Sequence, residues 1–438
     1  DWDTTAKTAS FTAVSGNGYF VNTTAGVITV NLPAGSAGNI VSLSDYAGTW
    51  QTYNVTVAPN GTDKIGSVNS NATLNTEGQS VTFVFVDSTQ GWINTMDSTS
   101  NVRGTPPFVA ATGGTITTVC TDYKVHTFTG PGTFTVTNAG TPTGSDTVEY
   151  IIVGGAGAGG GRYFGGGGGA GGFRFASPSL APLTYPAKPL AAPAGVTVTA
   201  QAYPIVIGGG GTGNACSGAT DSTPGNDTTA LGLTSTGGGA GAQDQTSGPL
   251  GPRGGPGGSG GGGSVGCYVG GNAVYQAGIG NTPSVSPSQG NPGGSGNQTS
   301  ASDAEGGNFN PGSPYIAGGG GGALVRGVCG VKNPGSAGTV GPGGAGGGLP
   351  NAFGTSGQSS GGYYYFAGGG GGAGTTCTYT TAPGTGGLGG GGAGNRNATG
   401  TAGTINTGGG GGGTDGRTGP YAGGGGGSGI VIIRYKFQ

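Results

Sequence analysis

Glycine fills five nearly pure blocks in this chain, at residues 165–169, 318–322, 368–372, 408–413 and 423–427. A residue without a side chain builds no apolar core, no stable helix and no catalytic pocket. Whatever these blocks do is therefore done by backbone against backbone. One reading is a disordered linker, because Gly and Pro together supply 114 + 26 = 140 of the 438 residues. Against it, only 14 + 16 = 30 residues are charged, the net charge is −2, and the blocks abut the apolar runs 148–153, 203–207 and 430–433. Disordered chains carry more charge and fewer β-formers. Collagen needs glycine at every third position, which solid glycine does not supply.

The reading that remains is a bundle of polyproline-II-like glycine helices. Such helices have three residues per turn and no internal hydrogen bonds, so neighbours must satisfy every outward N–H and C=O. Each lateral N–H···O bond contributes about 1 kcal/mol net, and each Cα–H···O contact about 0.5–1 kcal/mol. Ordering the backbone costs about 1–2 kcal/mol per residue. The balance is near zero, so stability must come from strands at the ends, packed loops, cross-links or oligomerisation.

Length implies two or three domains. We divide the chain into an all-β, β-rich fibre module over 1–103, a small β linker and hairpin region over 104–153, and a polyglycine type II helix bundle with long loops over 154–438, closed by a C-terminal strand. Essentially no α-helix is expected. In the first part, 27–32, 40–43, 54–57 and 81–86 read as strands, with Trp50 and Trp92 as core plugs. Residues 124–128 and 133–136 flank Gly130-Pro131-Gly132 as a hairpin. No run is apolar enough to span a membrane, and a start at Asp1 reads as a fragment or processed product. Scattered single charges give no patch for nucleic acid or anionic lipid.

An imperfect repeat runs through the glycine region: Ile316-Ala317, Phe366-Ala367 and Tyr421-Ala422 each precede five glycines. A large residue entering a bare block suggests a plug at the end of a rod. Short connections predict an up-and-down traverse, with loops alternating between the two ends. This parity puts Cys329 and Cys377 at one end, and Cys216 and Cys267 with them. Cys329–Cys377 and Cys216–Cys267 are therefore candidate disulfides, with free buried thiols the alternative. Cys120 has no evident partner.

Catalytic, cofactor and metal sites are not expected. The one histidine, His126, sits in a strand pattern beside Phe128 with no Ser or Cys partner near it, so it reads as structural. No Gly-Lys-Ser/Thr closes a glycine loop, and Asp227, Asp303 and Asp415 do not recur with a calcium-repeat period. The loops are instead decorated with aromatics among Ser, Gly, Asn and Thr, a composition suited to surface recognition. We take Tyr363, Tyr364, Tyr365, Phe353 and Tyr379 as candidate receptor-binding residues. The alternative for such rings is to cap the bundle ends, which suits Phe366 and Tyr421 best.

The segments 18–24, 32–33, 91–92 and 124–136, with the frame 148–155, 171–174 and 429–435, resemble tail-fibre or virion structural proteins of marine tailed phages. The glycine blocks are similar in kind to receptor-binding tip adhesins of T-even phages. The resemblance implies an extracellular virion protein, a homotrimeric fibre with other tail-fibre subunits as partners, and loops that recognise a bacterial surface glycan or outer-surface protein. It implies neither nucleic-acid binding nor membrane insertion. The other reading is a purely structural fibre or extracellular filament subunit whose loops make subunit contacts.

Overall fold

The computed structural model describes residues 1–98, 108–214, 221–243, 253–264, 276–296, 315–331, 338–374, 381–416 and 419–438. The chain forms two units, Asp1–Gly104 and Thr105–Gln438. Among the described residues there is no α-helix, only single 3-10 turns at Pro178–Leu180, Lys188–Leu190 and Asn351–Phe353. The rest is many small sheets and extended glycine.

In the first unit the chain steps between two sheets. One holds, in order, Trp2–Lys7, Asn17–Val21, Ile40–Asp45, Ser80–Phe85 and Trp92–Ser98; the other holds Phe11–Thr12, Ile28–Asn31, Val55–Ala58 and Ala72–Leu74. Each early strand is followed by one in the opposite sheet, so the chain returns in its former direction and same-sheet neighbours pair in parallel. Alternation does the sorting: Val81, Phe83 and Phe85 face inward and are buried, while Thr82 and Val84 between them are half-exposed. Trp50 and Trp92 are fully buried in the core between the sheets. Asp45 organises one corner by accepting the amides of Gly48, Thr49, Trp50 and Gly78.

The second unit is built on a sheet whose central strands, Thr147–Val153 and Ile430–Lys436, pair antiparallel across nearly the whole sequence. Both read as almost unbroken apolar runs because both faces of the sheet are covered. Ile151, Val153, Ile430 and Ile432 pack in one cluster with Phe173, Phe353 and Phe366. Tyr150, Ile152, Val431 and Ile433 pack in the other with Phe134 and Ile205. Glu149 and Arg434 are cross-strand partners that form a buried ion pair. Ser179 binds both, its amide donating to Glu149 at 2.7 Å and its hydroxyl accepting from Arg434 at 2.6 Å. The Arg434 guanidinium also lies 3.6 Å from the Tyr123 ring centre. Such satisfaction is what makes a buried charge tolerable.

From Val153 the chain passes directly into glycine. In residues 166–172 the amides of Gly166, Gly169 and Gly172 donate to Ala242, Gly239 and Thr236. Those of Gly167 and Ala170 go to Gly318 and Gly321, and those of Gly168 and Gly171 to Gly411 and Gly408. Every third residue therefore addresses the same neighbour. The carbonyls rotate likewise: Gly166, Gly169 and Gly172 accept from Gly160, Gly157 and Gly154, Gly167 and Ala170 from Gly262 and Ser259, and Gly165 and Gly168 from Ala373 and Gly370. One segment thus has six hydrogen-bonded neighbours, three through its donors and three through its acceptors. Residues 318–323 show the same rotation, with Gly318 and Gly321 bonded to Gly263 and Gly260, Gly319 and Gly322 to Val328 and Val325, and Gly320 and Ala323 to Gly370 and Ala367.

Partner numbers that fall along a segment mark an antiparallel neighbour, and numbers that rise mark a parallel one. By this criterion 154–161 runs away from the sheet, 165–172 runs back, and the alternation continues to 408–415 and 422–429. On the flanks the period shows in burial instead. Ala382, Thr385 and Leu388 are exposed, whereas Gly384 and Gly387 are buried.

The spacing leaves no room for side chains. A Cβ on Gly167 would lie 2.0 Å from the carbonyl oxygen of Gly370, and one on Gly320 1.9 Å from that of Gly168. At Gly209, on the flank, the nearest atom to an added Cβ is 3.7 Å away. Gly167→Ala is therefore expected to destabilise the second unit by about 3 kcal/mol or more through overpacking. Gly209→Ala should instead leave it unchanged or stabilise it by about 0.4–1 kcal/mol. Thermal unfolding of the two variants checks this, and equal effects would mean that the lateral contacts are not formed.

Candidate functional site

Alternating direction gives the bundle two unlike ends. At the sheet end, turns are closed by apolar and hydrogen-bonded residues. Phe173 donates its amide to Gln289, Ala323 to Ala367, and Gly408 to Ser428. The fully buried Gln289 accepts the Thr236 amide at 2.9 Å and donates to the Pro283 carbonyl at 3.0 Å.

The opposite end centres on the tight return at 161–165. Arg162 and Phe164 there take positive φ values of 60° and 53°, a conformation uncommon outside glycine and a mark of a tightly constrained turn. Phe164 is fully buried and stacks on Tyr315 at 4.6 Å. Around this return stand the residues that flank 215–220, 244–252, 265–275, 297–314, 332–337, 375–380 and 417–418. Asn214 donates its amide to the Ser222 hydroxyl at 3.3 Å, and Gln243 donates to Asp221. The Gln276 carbonyl accepts from Gly254 at 3.1 Å, and the Ser295 carbonyl accepts from Gly330 at 2.9 Å. Val331 pairs with Thr339, Ala373 reaches the Gly165 carbonyl at 2.9 Å, and Gly416 reaches that of Arg162 at 2.8 Å. The stems of these seven segments thus share one end.

The described charges there are Arg162, Arg253 and Arg396 with Asp221 and the fully buried Asp415. Arginine with tyrosine at a polar rim is a composition suited to binding surfaces. Arg253 and Arg396 were missed in the sequence reading, although Arg396 lies within a few residues of the glycines at 389–392 and could have been found by that proximity. No group of three or more His, Cys, Asp or Glu that could hold a metal occurs among the described residues.

The sequence-selected aromatics fall elsewhere. Tyr363, Tyr364 and Tyr365 lie in the strand Tyr363–Phe366, between Gly347–Leu349 and Gln358–Ser360, at the sheet end. They are half-buried, and Tyr363 and Tyr364 pack against the apolar cluster. Phe353 is 2% exposed in that cluster, 5.6 Å from the Arg434 guanidinium. Its assignment as a receptor contact is corrected: a ring packed into the core offers no surface to a partner. Phe366 and Ile316 are buried where their chains enter glycine. Cys329 is buried at the end opposite the sheet, its sulfur 3.6 Å from Arg326 Nη2. Tyr379, Cys377, Cys216 and Cys267 lie outside the described residues.

His126 is a satisfied core residue. Its Nδ1–H donates to the Gly113 carbonyl at 2.7 Å, and Nε2 accepts from the Tyr435 hydroxyl at 3.0 Å, which itself accepts the Ala111 amide at 3.1 Å.

Fold and site together define an all-β protein in which a sheet-capped glycine bundle gathers the stems of its long connecting segments at one end. The chain belongs to the family described as glycine-rich domain, whose model matches residues 127–363. The structural unit continues past that match to the closing strand Ile430–Lys436. No curated protein matches the chain.

Burial holds the His126 pKa below the ordinary 6.5, opposed by its bond to Gly113 and assisted by Lys124. The unfolded ring takes up a proton as pH falls through 6.5, whereas the folded ring does so only lower. Its contribution is therefore full above pH 6.5 and lost as pH falls towards the folded value. The unfolding midpoint of the second unit should drop below pH 6.5, with a shallower slope in His126→Gln. An identical slope in the variant would assign the pH dependence to other groups.

Proposed function

We propose that this chain is a non-enzymatic adhesin of the phage tail-fibre type, extracellular on the virion, that recognises a bacterial surface glycan or outer-surface protein. Recognition uses the end of the bundle away from the sheet. The observation that carries the reading is the gathering of seven segment stems at that end while the other is sealed by apolar packing. A rigid scaffold with variable connections at one face is a common arrangement for recognition. The glycine segments are read as polyglycine type II helices, since a donor pattern repeating every three residues is what three residues per turn would produce. The resemblance to fibre proteins adds a homotrimer with other tail-fibre subunits as partners.

Within this reading Tyr379 stays a contact residue on its segment, and Tyr363 to Tyr365 support the sealed end. Cys329–Cys377 and Cys216–Cys267 would tie neighbouring segments together. Soluble protein should bind bacterial cells or an array of their surface glycans saturably. Exchange of residues 375–380 and 265–275 for Gly/Ser of equal length should abolish binding, while Tyr363→Ser with Tyr364→Ser lowers stability and leaves affinity within about twofold. Concentration-dependent polymerisation on sedimentation, without binding to any cell, would favour the structural-subunit reading instead.

A further inference from the structure

The first unit carries a groove of about 670 Å3 on the outer face of its five-stranded sheet, within the range of about 300–1,000 Å3 usual for ligand sites. One wall is aromatic. Trp2 is 49% exposed, in contrast to the fully buried Trp50 and Trp92, and its ring lies 5.0 Å from that of Phe20 at 34°. A Cβ on Gly18 would fall 2.5 Å from the middle of the indole. One face of Trp2 is therefore seated on bare backbone, and about half of the residue is exposed. A glycine inside a strand weakens it and often marks a close approach; here the approach is that of the indole.

The rest of the groove is hydroxylated. Ser42 and Thr82 share a hydrogen bond at 2.8 Å, and Ser44 and Ser80 line the groove beside Phe20. We infer that this groove binds a neutral oligosaccharide, with one ring stacked on Trp2 and its rim hydroxyls bonded to Ser42 and Thr82. A pyranose with equatorial substituents has an apolar C–H face and a polar rim, matching an aromatic platform edged with hydroxyls. An apolar peptide would desolvate the Ser and Thr hydroxyls without partners. An anionic saccharide would find no basic side chain among the described residues that line the groove. The site is built wholly from residues of the first unit.

Because the other two tryptophans of the chain are buried, solvent-dependent emission changes report on Trp2. Titration of the full chain with cellohexaose should give a saturable blue shift and protection from acrylamide quenching, and oligogalacturonate should give neither. Trp2→Ala should weaken cellohexaose binding at least tenfold by calorimetry with an unchanged unfolding midpoint, and Thr82→Val should weaken it several-fold. Exchange of 375–380 and 265–275 should leave it intact, which separates this site from the proposed receptor end. Absence of any emission change with cellohexaose and chitohexaose, or equal affinity in Trp2→Ala, overturns the inference. So does an emission change that follows protein concentration alone, which would make the groove a contact between copies.

Discussion

The lateral hydrogen bond between two backbones that carry no side chains is the interaction on which the second unit rests. It forms only if the chains approach closely enough that a methyl group would overlap a carbonyl oxygen, as at Gly167 and Gly320. That condition fixes composition, since inner positions must be glycine or, where space permits, alanine, as at Ala156, Ala158 and Ala170. It also confines chemistry. The interior of such a bundle holds amides already bonded to one another, so groups able to recognise anything must stand at the ends or on the flanks.

The same bond cannot stabilise the unit alone, because about 1 kcal/mol per bond is matched by about 1–2 kcal/mol of backbone entropy per residue. What tips the balance is the apolar sheet. Its central strands precede the first glycine segment and follow the last, and their pairing from Glu149–Arg434 to Val153–Ile430 brings the two extremes of the bundle together. Two clusters then bury both faces of those strands. Stability is concentrated at one end, and the glycine segments extend from it. Most contacts in such a unit join residues distant in sequence, a topology that folds slowly because loop closure precedes the reward.

Much of this was legible in the sequence. Solid glycine beside apolar strands argued against a linker and excluded collagen, and short connections implied alternation, which the hydrogen bonds follow among the described residues from 154 to 429. Trp50 and Trp92 were read as core plugs and His126 as a structural residue, and all three are buried. The aromatics at 353 and 363–365 were assigned to recognition from composition, which does not carry position. The parity applied to the cysteines held the answer. The connection containing Tyr363 follows residues 340–346, which run towards the sheet, whereas Cys329 closes a segment running away from it. Trp2 gave no signal, because an exposed tryptophan opposite a glycine on the next strand is a matter of register, and register was not predicted.

A bundle packed on a sheet at one end, with the stems of its connecting segments gathered at the other, separates two demands that usually conflict. Each of those stems belongs to a glycine segment held by several lateral bonds, so the length of the connection hardly affects the scaffold. Doubling a loop costs only about 0.6 kcal/mol in closure entropy, less than one lateral hydrogen bond contributes. The outward rank on a flank can vary as well, as the succession of Ala382, Thr385 and Leu388 on one segment illustrates. Inner positions tolerate nothing larger than hydrogen or, in places, methyl. Sequence change in such a protein is therefore channelled by geometry towards the end where the stems gather and away from the core that holds them.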